Sequence, residues 1–201
     1  VDNNEYCIAS TSELLDARTR MWNWALIDRL GLPRHLFGDI VMPGTQRGTL
    51  LPHIKQQLGV DYDIPVIAVA SHDTASGVAA TMAAGCGEGG RDGADGEHGV
   101  RAFLSSGTWS LLGVVLDAPI LTPEARRAGF TNEGGVDGKI RFLQNITGLW
   151  FLQQLMAQWD KDGRHISYPD LDREATAAQI DSVIDVDAPV FFQHGDMEGK
   201  I

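Results

Sequence analysis

Asp73 lies in Ser71-His72-Asp73-Thr74, directly after the apolar run Ile64-Pro65-Val66-Ile67-Ala68-Val69-Ala70. In open α/β sheets, ligands bind beyond the carboxyl ends of the strands. A carboxylate at that place can take a proton from a substrate hydroxyl or hold a metal. On position alone, Asp73 reads first as a helix N-cap satisfying free backbone N–H groups. His72 reads first as a hydrogen-bonded histidine of the core. A second candidate is Ser105-Ser106-Gly107-Thr108. Its glycine lets a tight turn present backbone N–H groups outward, its hydroxyls add donors, and such a concave set suits phosphate oxygens. It lacks the Gly-Lys-Ser/Thr ending of a Walker A loop, and hairpin tips in general read the same way. The third candidate is the pair Asn145 and Gln153. Eight residues along one helix is ~12 Å of rise, so a single helix reaches two parts of an extended site. Taken singly, Asn145 is an N-cap and Gln153 is solvated. Asp196 and Glu198 have the form of a metal pair, but a solvated turn is the plainer reading. Thr131-Asn132-Glu133-Gly134-Gly135 is turn chemistry first and a substrate loop second.

The elements that must position these residues follow from pattern. The segment to about His53 reads as mostly helical with turns. Within it, Asn23 to Leu30 spaces Trp24, Leu26, Ile27 and Leu30 for one helical face, and Gly31-Leu32-Pro33 stops it. Met42-Pro43-Gly44-Thr45 is a turn signal, and Leu51 to Leu58 is a short helix. Ile64–Ala70 lacks alternation and is rich in β-branched residues, which fits a strand covered on both faces. Pro65 is tolerable only near its start. Ala75 to Ala84 suits a closely packed helix. Gly85 to Gly99 holds seven glycines and little that is apolar, which predicts an exposed, mobile loop and a domain boundary. Arg101–Ser105 and Trp109–Leu116 form a β-hairpin around a Ser/Gly/Thr tip. Phe130–Gly135 and Val136–Phe142 form a second strand-turn-strand unit. Asn145 to Trp159 reads as a helix with a broad apolar face, ended by Gly163. Tyr168 to Ile184 reads as another, with Leu171, Ala175, Ala178 and Ile180 spaced for burial. The five tryptophans read as core.

Composition bounds the partners. Lys and Arg number 16 against 27 Asp and Glu, a net charge of −11 over 201 residues. A chain this acidic does not hold nucleic acid or anionic lipid through bulk charge. No apolar run is long enough for a transmembrane helix, and Val1-Asp2-Asn3-Asn4-Glu5 lacks a signal-peptide core. Cys7 and Cys86 form neither a disulfide framework nor a zinc-ligand spacing. They read as two thiols in a reducing cytoplasm. The histidines never fall at i and i+3 or i+4, so no metal site is built from them locally.

Five segments in order resemble the FGGY carbohydrate kinases. They are Ala9-Ser10-Thr11-Ser12-Glu13-Leu14-Leu15-Asp16, Ala68-Val69-Ala70-Ser71-His72-Asp73-Thr74-Ala75-Ser76, Leu104-Ser105-Ser106-Gly107-Thr108-Trp109-Ser110-Leu111, Phe130-Thr131-Asn132-Glu133-Gly134-Gly135, and Phe142 through Gln153. The His-Asp-Thr-Ala and Thr-Asn-Glu-Gly-Gly segments tilt the match toward members acting on L-rhamnulose. The resemblance implies an α/β, actin-like ATPase fold of the ribonuclease-H-like class, with parts of two domains. Residues 1–85 would end the first domain, 86–99 would be a mobile loop, and 100–201 would begin the second. The family's amino-terminal Asp-Gly-Gly-Thr phosphate loop and carboxy-terminal adenosine region are absent, which implies a middle fragment that is inactive alone. The implied reaction is ATP-dependent phosphorylation of a sugar's C1 hydroxyl with Mg²⁺. Asp73 would be the base, His72, Asp73, Thr74 and Asn145 would contact sugar, and Thr108 and Gln153 would contact ATP. No metal ligand among the residues is implied. L-fuculose or L-xylulose as substrate, and a non-catalytic sugar-binding relative, stand as alternatives.

Overall fold

A computed structural model describes residues 3–84, 102–193 and 195–201. The predicted Gly85–Gly99 loop, with Cys86, lies outside them. The chain divides into two compact units, Val1–Phe103 with Gly113–Leu143, and Leu104–Leu112 with Gln144–Ile201.

The amino-terminal segment is less helical than its composition suggests. It runs β1 (Asn3–Glu5), α1 (Tyr6–Ser10), β2 (Leu15–Asp16), β3 (Met21–Trp22), α2 (Trp24–Arg29), β4 (Asp39–Val41), β5 (Gln46–Thr49) and α3 (Pro52–Leu58). Backbone breaks every few residues account for this. Glu13 and Arg20 have positive φ, and so do Gly31 and Gly59, which follow α2 and α3. A left-handed residue ends a helix that propensity alone would extend. The two helices expected from spacing, α2 and α3, are present. β1 pairs in parallel with β4 in the register Asn3↔Asp39, Asn4↔Ile40 and Glu5↔Val41. β2 pairs antiparallel with β3.

β6 (Pro65–Ile67) falls inside the predicted strand and starts at its proline, but it is not covered on both faces. It pairs antiparallel with β5, and all three of its residues are exposed. An unbroken apolar run states that both faces of a strand are apolar. It does not state that other segments lie over them. α4 (Asp73–Ala84) follows as expected. The core of this unit gathers on α1. Tyr6 and Cys7 pack with Ala70 and Ala75, and Ala9 packs with Trp22 and Ile27. Each large apolar side chain removed from water in this way contributes roughly 1.5–3 kcal/mol. Trp22 also donates its indole N–H to the Gly38 carbonyl at 2.7 Å.

β7 (Ala102–Ser106) and β8 (Trp109–Leu116) are neighbours joined by only Gly107 and Thr108. A two-residue link requires an antiparallel pair, so the predicted hairpin is present. After α5 (Pro123–Arg127) come β9 (Phe130–Gly134), a 3-10 turn at Val136–Gly138, and β10 (Ile140–Thr147). The sheet order is β7-β8-β10-β9. Thr131–Gly134 is therefore strand rather than turn; the turn comes later, where Asp137 and Gly138 both adopt positive φ.

Asn145 is a strand residue too. The helix predicted from Asn145 begins only at α6 (Trp150–Lys161). Ile140 to Thr147 buries residues 140, 141, 143 and 147, and Gly148 marks the change of conformation. Apolar residues on both sides of that glycine had merged into one apparent helical face. α7 (Tyr168–Ala177) carries a Ser167/Asp170 capping box and stops seven residues short of its predicted end. Ala175, Ala178 and Ile180 are exposed rather than buried. α8 (Met197–Lys200) closes the chain. Gln158 accepts from Met197 N at 2.8 Å, and Phe151 meets Phe191 edge-on. Of the tryptophans, Trp22 is core, whereas Trp24 and Trp109 are exposed.

Candidate functional site

The link from β6 into α4 is tied down by one side chain from the start of the chain. Glu5 caps α1 by accepting from Cys7 N at 2.8 Å and Ile8 N at 3.2 Å. The same carboxylate accepts from Ser71 N at 3.0 Å and Ser71 Oγ at 2.6 Å. Burial pushes the Glu5 carboxyl up, but the bonds from Cys7 and Ser71 outweigh it and hold the group below its ordinary value. From the other side, Ser76 Oγ donates to the Ala70 carbonyl at 2.5 Å and Ser76 N to the His72 carbonyl at 3.1 Å. The chain is therefore fixed immediately before and after the residues of interest. Asp73 begins α4, and its side chain is 97% exposed. Its Oδ1 accepts from Thr74 N at 2.6 Å, so the carboxylate is held by the helix start and also open to solvent. Asp73 is thus the first residue of the helix and not its N-cap, since the first intrahelical bond runs from Ser76 N to the His72 carbonyl.

His72 is mostly buried beside it. Its Nε2 lies 3.8 Å from Asp73 Oδ1 and its Nδ1 lies 4.0 Å from Glu133 Oε2. Glu133 on β9 and Arg141 on β10 are both buried and form an ion pair at 2.9 Å. Arg141 also donates through Nε to the Gly134 carbonyl at 3.0 Å. Burial pushes the Arg141 guanidinium down from its ordinary value, and the Glu133 charge opposes that. Sequence reasoning missed this pair. The available signal was two opposite charges inside a strand-turn-strand unit, which are cross-strand neighbours once the turn is correctly placed.

In the other unit, the hairpin tip is docked on the start of α6. Leu149 N donates to the Gly107 carbonyl at 2.9 Å and Trp150 N to the Thr108 carbonyl at 3.1 Å. Gly148 has no room for a side chain: a Cβ there would stand 2.7 Å from the Gly107 carbonyl oxygen and 3.0 Å from Ser110 N. Gln153 donates from Nε2 to Thr108 Oγ1 at 3.2 Å, so it is not simply solvated. A threonine hydroxyl that accepts from an amide keeps its own proton to donate. A hydroxyl donor on an exposed glycine turn fits a phosphate oxygen.

Two groups are thus assembled, each within its own unit: His72-Asp73-Thr74 in one, and Thr108 with Gln153 in the other. Asn145 shares the second unit with Thr108 and Gln153. It is an exposed residue of β10, however, and neither an N-cap nor a partner of Gln153 on one helix. Asp196 caps α8 by accepting from Gly199 N at 3.3 Å, and Glu198 pairs with Arg164 at 2.7 Å. Among the described residues no cluster of three or more His, Cys, Asp or Glu is placed to hold a metal. Magnesium at phosphoryl sites takes one or two carboxylates plus substrate phosphates, a donor set that the open carboxylate of Asp73 fits. No described helix is long and apolar enough to cross a membrane.

Comparison with known proteins gives a consistent answer. Residues 3–80 match the N-terminal domain of the FGGY family of carbohydrate kinases, and residues 102–199 match the C-terminal domain of that family. Over 198 residues, 98% of this chain, it is 42% identical to a rhamnulokinase of Bacteroides thetaiotaomicron and covers 37% of that protein. It is 37% identical to a rhamnulokinase of Oceanobacillus iheyensis, again over 98% of this chain and 38% of the relative. The chain thus spans little more than a third of the length of these relatives. Among solved structures, a gluconate kinase from Lactobacillus acidophilus superposes with a TM-score of 0.60 at 18% identity, over 88% of this chain and 32% of that one. A ligand-bound xylulose kinase from the same organism gives 0.58 at 16% identity, with the same coverage. At such identities the likeness speaks to fold, and the fold is the α/β actin-like ATPase class.

Proposed function

The chain belongs to the FGGY family of carbohydrate kinases, and on that premise we propose that it supplies the central part of an ATP-dependent kinase for L-rhamnulose. The 34–42% identity to several rhamnulokinases supports that sugar over L-fuculose or L-xylulose. The reaction is transfer of the γ-phosphoryl group to the C1 hydroxyl. Asp73 accepts the hydroxyl proton as the oxygen attacks phosphorus, through the carboxylate oxygen that Thr74 N does not occupy. His72, Thr74 and Asn145 contact the sugar. Thr108 donates to ATP phosphate, and Gln153 holds Thr108 in place on the nucleotide side. A magnesium ion bound with ATP would offset the charge that develops during transfer. The chain's own contribution is positioning and a proton acceptor, as such reactions require. We assign residues 1–85 to the end of the first domain and 100–201 to the start of the second, with 86–99 between them. The two family matches at 3–80 and 102–199 support this boundary. A cytoplasmic enzyme acting on small molecules fits the acidic charge and the free thiol of Cys7.

The observation that carries the reading is an exposed carboxylate at a helix start, on a backbone clamped from both sides by Glu5 and Ser76. Asp73→Asn in the complete enzyme is expected to leave sugar binding largely intact. It should lower turnover by a factor on the order of 100 or more. Calorimetry and a coupled ADP assay check the two halves. Near-normal turnover removes Asp73 from the base role.

A further inference from the structure

Behind Asp73 lies a buried charged pair that the reaction itself does not use. Glu133 is 6% exposed and Arg141 1% exposed. Burying two charges is unfavourable enough that well-packed apolar residues often serve stability equally well. A pair kept inside a sheet therefore invites a second reason. Here the oxygen of Glu133 that meets Arg141 is also the one facing His72. Glu133 Oε2 and His72 Nδ1 are 4.0 Å apart. Nδ1 of His72 is buried without a hydrogen-bond partner, and Glu133 Oε2 has the Arg141 ion pair at 2.9 Å. Buried polar atoms are normally satisfied, and exceptions call for an explanation. The imidazole's other nitrogen faces Asp73 at 3.8 Å. Guanidinium, carboxylate, imidazole and carboxylate thus stand in a row that ends at the proposed base.

The mount of this row is stiff. Gly134, next to Glu133, has the Tyr6 ring where a Cβ would be, at 2.6–2.8 Å. Its amide donates to Ser10 Oγ at 2.7 Å, and Ser10 Oγ donates to the Cys7 carbonyl at 2.7 Å. Arg141 on β10 is tied to the Gly134 carbonyl on the neighbouring strand β9. The carboxylate of Glu133 is held from behind while the imidazole of His72 is not.

We propose that Glu133, backed by Arg141, is a positioning residue: it receives the Nδ1 proton of His72 and so turns the opposite ring nitrogen toward the sugar hydroxyls beside Asp73. The gap of 4.0 Å in this structure closes to a hydrogen bond when sugar fills the site. This inference rests on the kinase reading of Asp73 and names the device that orders its neighbour.

The test uses the complete kinase and the variants Glu133→Ala, Glu133→Gln, Arg141→Lys and Asp73→Asn. Glu133→Ala is expected to raise the sugar KM and lower kcat, together by roughly tenfold or more in kcat/KM, with the ATP KM unchanged. Glu133→Gln keeps an acceptor oxygen for Nδ1–H and recovers most of that loss. Arg141→Lys recovers part of what removing the cation would forfeit. Histidine-labelled NMR of the wild type supplies a readout independent of turnover and of variant folding: Nδ1 of His72 carries a proton that points to Glu133. A folded Glu133→Ala enzyme with both constants within twofold of wild type overturns the proposal, and so does a His72 with a bare Nδ1. Loss of turnover in Asp73→Asn alongside normal Glu133 variants sinks only this inference. Normal turnover in Asp73→Asn sinks the reading beneath it.

Discussion

Removing the Glu5 carboxylate is the sharpest perturbation of the loop that carries Asp73. Glu5→Ala deletes two bonds that cap α1 and two that hold Ser71. Loss of a helix cap costs about 1 kcal/mol. Hydrogen bonds to a charged acceptor contribute roughly 1.5–3 kcal/mol each when buried, and less here because water replaces the partner at exposed Ser71. Together about 2–3 kcal/mol is expected, or ~5–10 °C in Tm for a chain of this size. Glu5→Gln keeps one acceptor oxygen and should lose about half as much. Acid makes the contrast sharper. Glu5 is held below its ordinary value of 4.5. Its folded pKa therefore lies under its unfolded one. The stabilisation from its charge is complete above pH ~4.5 and disappears as pH falls through the folded pKa. Glu5→Gln has no such charge to lose, so its stability should fall less than the wild type's between pH 6 and pH 3. Other carboxylates titrate in both proteins and cancel in the difference. Urea titration followed by tryptophan fluorescence measures this, with buried Trp22 as a reporter. A Glu5→Ala protein within 0.5 kcal/mol of wild type at neutral pH, or equal acid slopes for wild type and Glu5→Gln, would refute the clamp.

Two further predictions rest on other contacts. Burial, and then the neighbouring Glu5 charge, push the Cys7 thiol up to about 12. Stability that depends on a protonated thiol is complete below its ordinary pKa near 9 and is lost as pH rises from there toward 12. Iodoacetamide at pH 8 should therefore spare Cys7 until the chain unfolds, as peptide mapping that reads Cys86 separately can show, and Cys7→Ala should flatten the alkaline loss. Gly148→Ala sets a methyl group against the Gly107 carbonyl. Overpacking of this kind costs about 1–3 kcal/mol, and the displaced tip should raise the ATP KM while leaving the sugar KM unchanged in the complete enzyme.

How much of this was legible in the sequence depended on whether the signal was local. The Gly107-Thr108 hairpin was readable because one two-residue link between β-rich runs admits one geometry. The start of α4 at Asp73 was readable from the switch between β-branched and small residues. Asn145 was misread because helix and strand periods overlap over a few apolar positions, and Gly148, the residue that separates them, carries no pattern of its own. Thr131–Gly134 looked like a turn from composition, but β10 next to it makes it a strand. The exposure of Val66 and Ile67 was not readable at all, since burial belongs to whatever packs on a segment. The burial of Glu133 and Arg141 was unreadable for the same reason, since neither residue type advertises burial, although their cross-strand pairing follows once the turn is placed.

The Glu5 clamp and the docked hairpin tip share one physical logic. Both candidate groups sit where a strand has just ended, with backbone donors and acceptors that no ladder satisfies. In one unit, Glu5 reaches across 66 positions of sequence to take two donors of Ser71. In the other, the amides at the start of α6 take the carbonyls of Gly107 and Thr108. Free backbone groups at strand ends must find partners. When the partners come from distant segments, the loop between them becomes as rigid as the elements themselves. Rigidity of that kind is what phosphoryl transfer asks of a protein that has little covalent chemistry to perform. It also makes Glu5 and Gly148, which touch no substrate in the proposed reaction, as informative to mutate as the carboxylate and hydroxyl they hold in place.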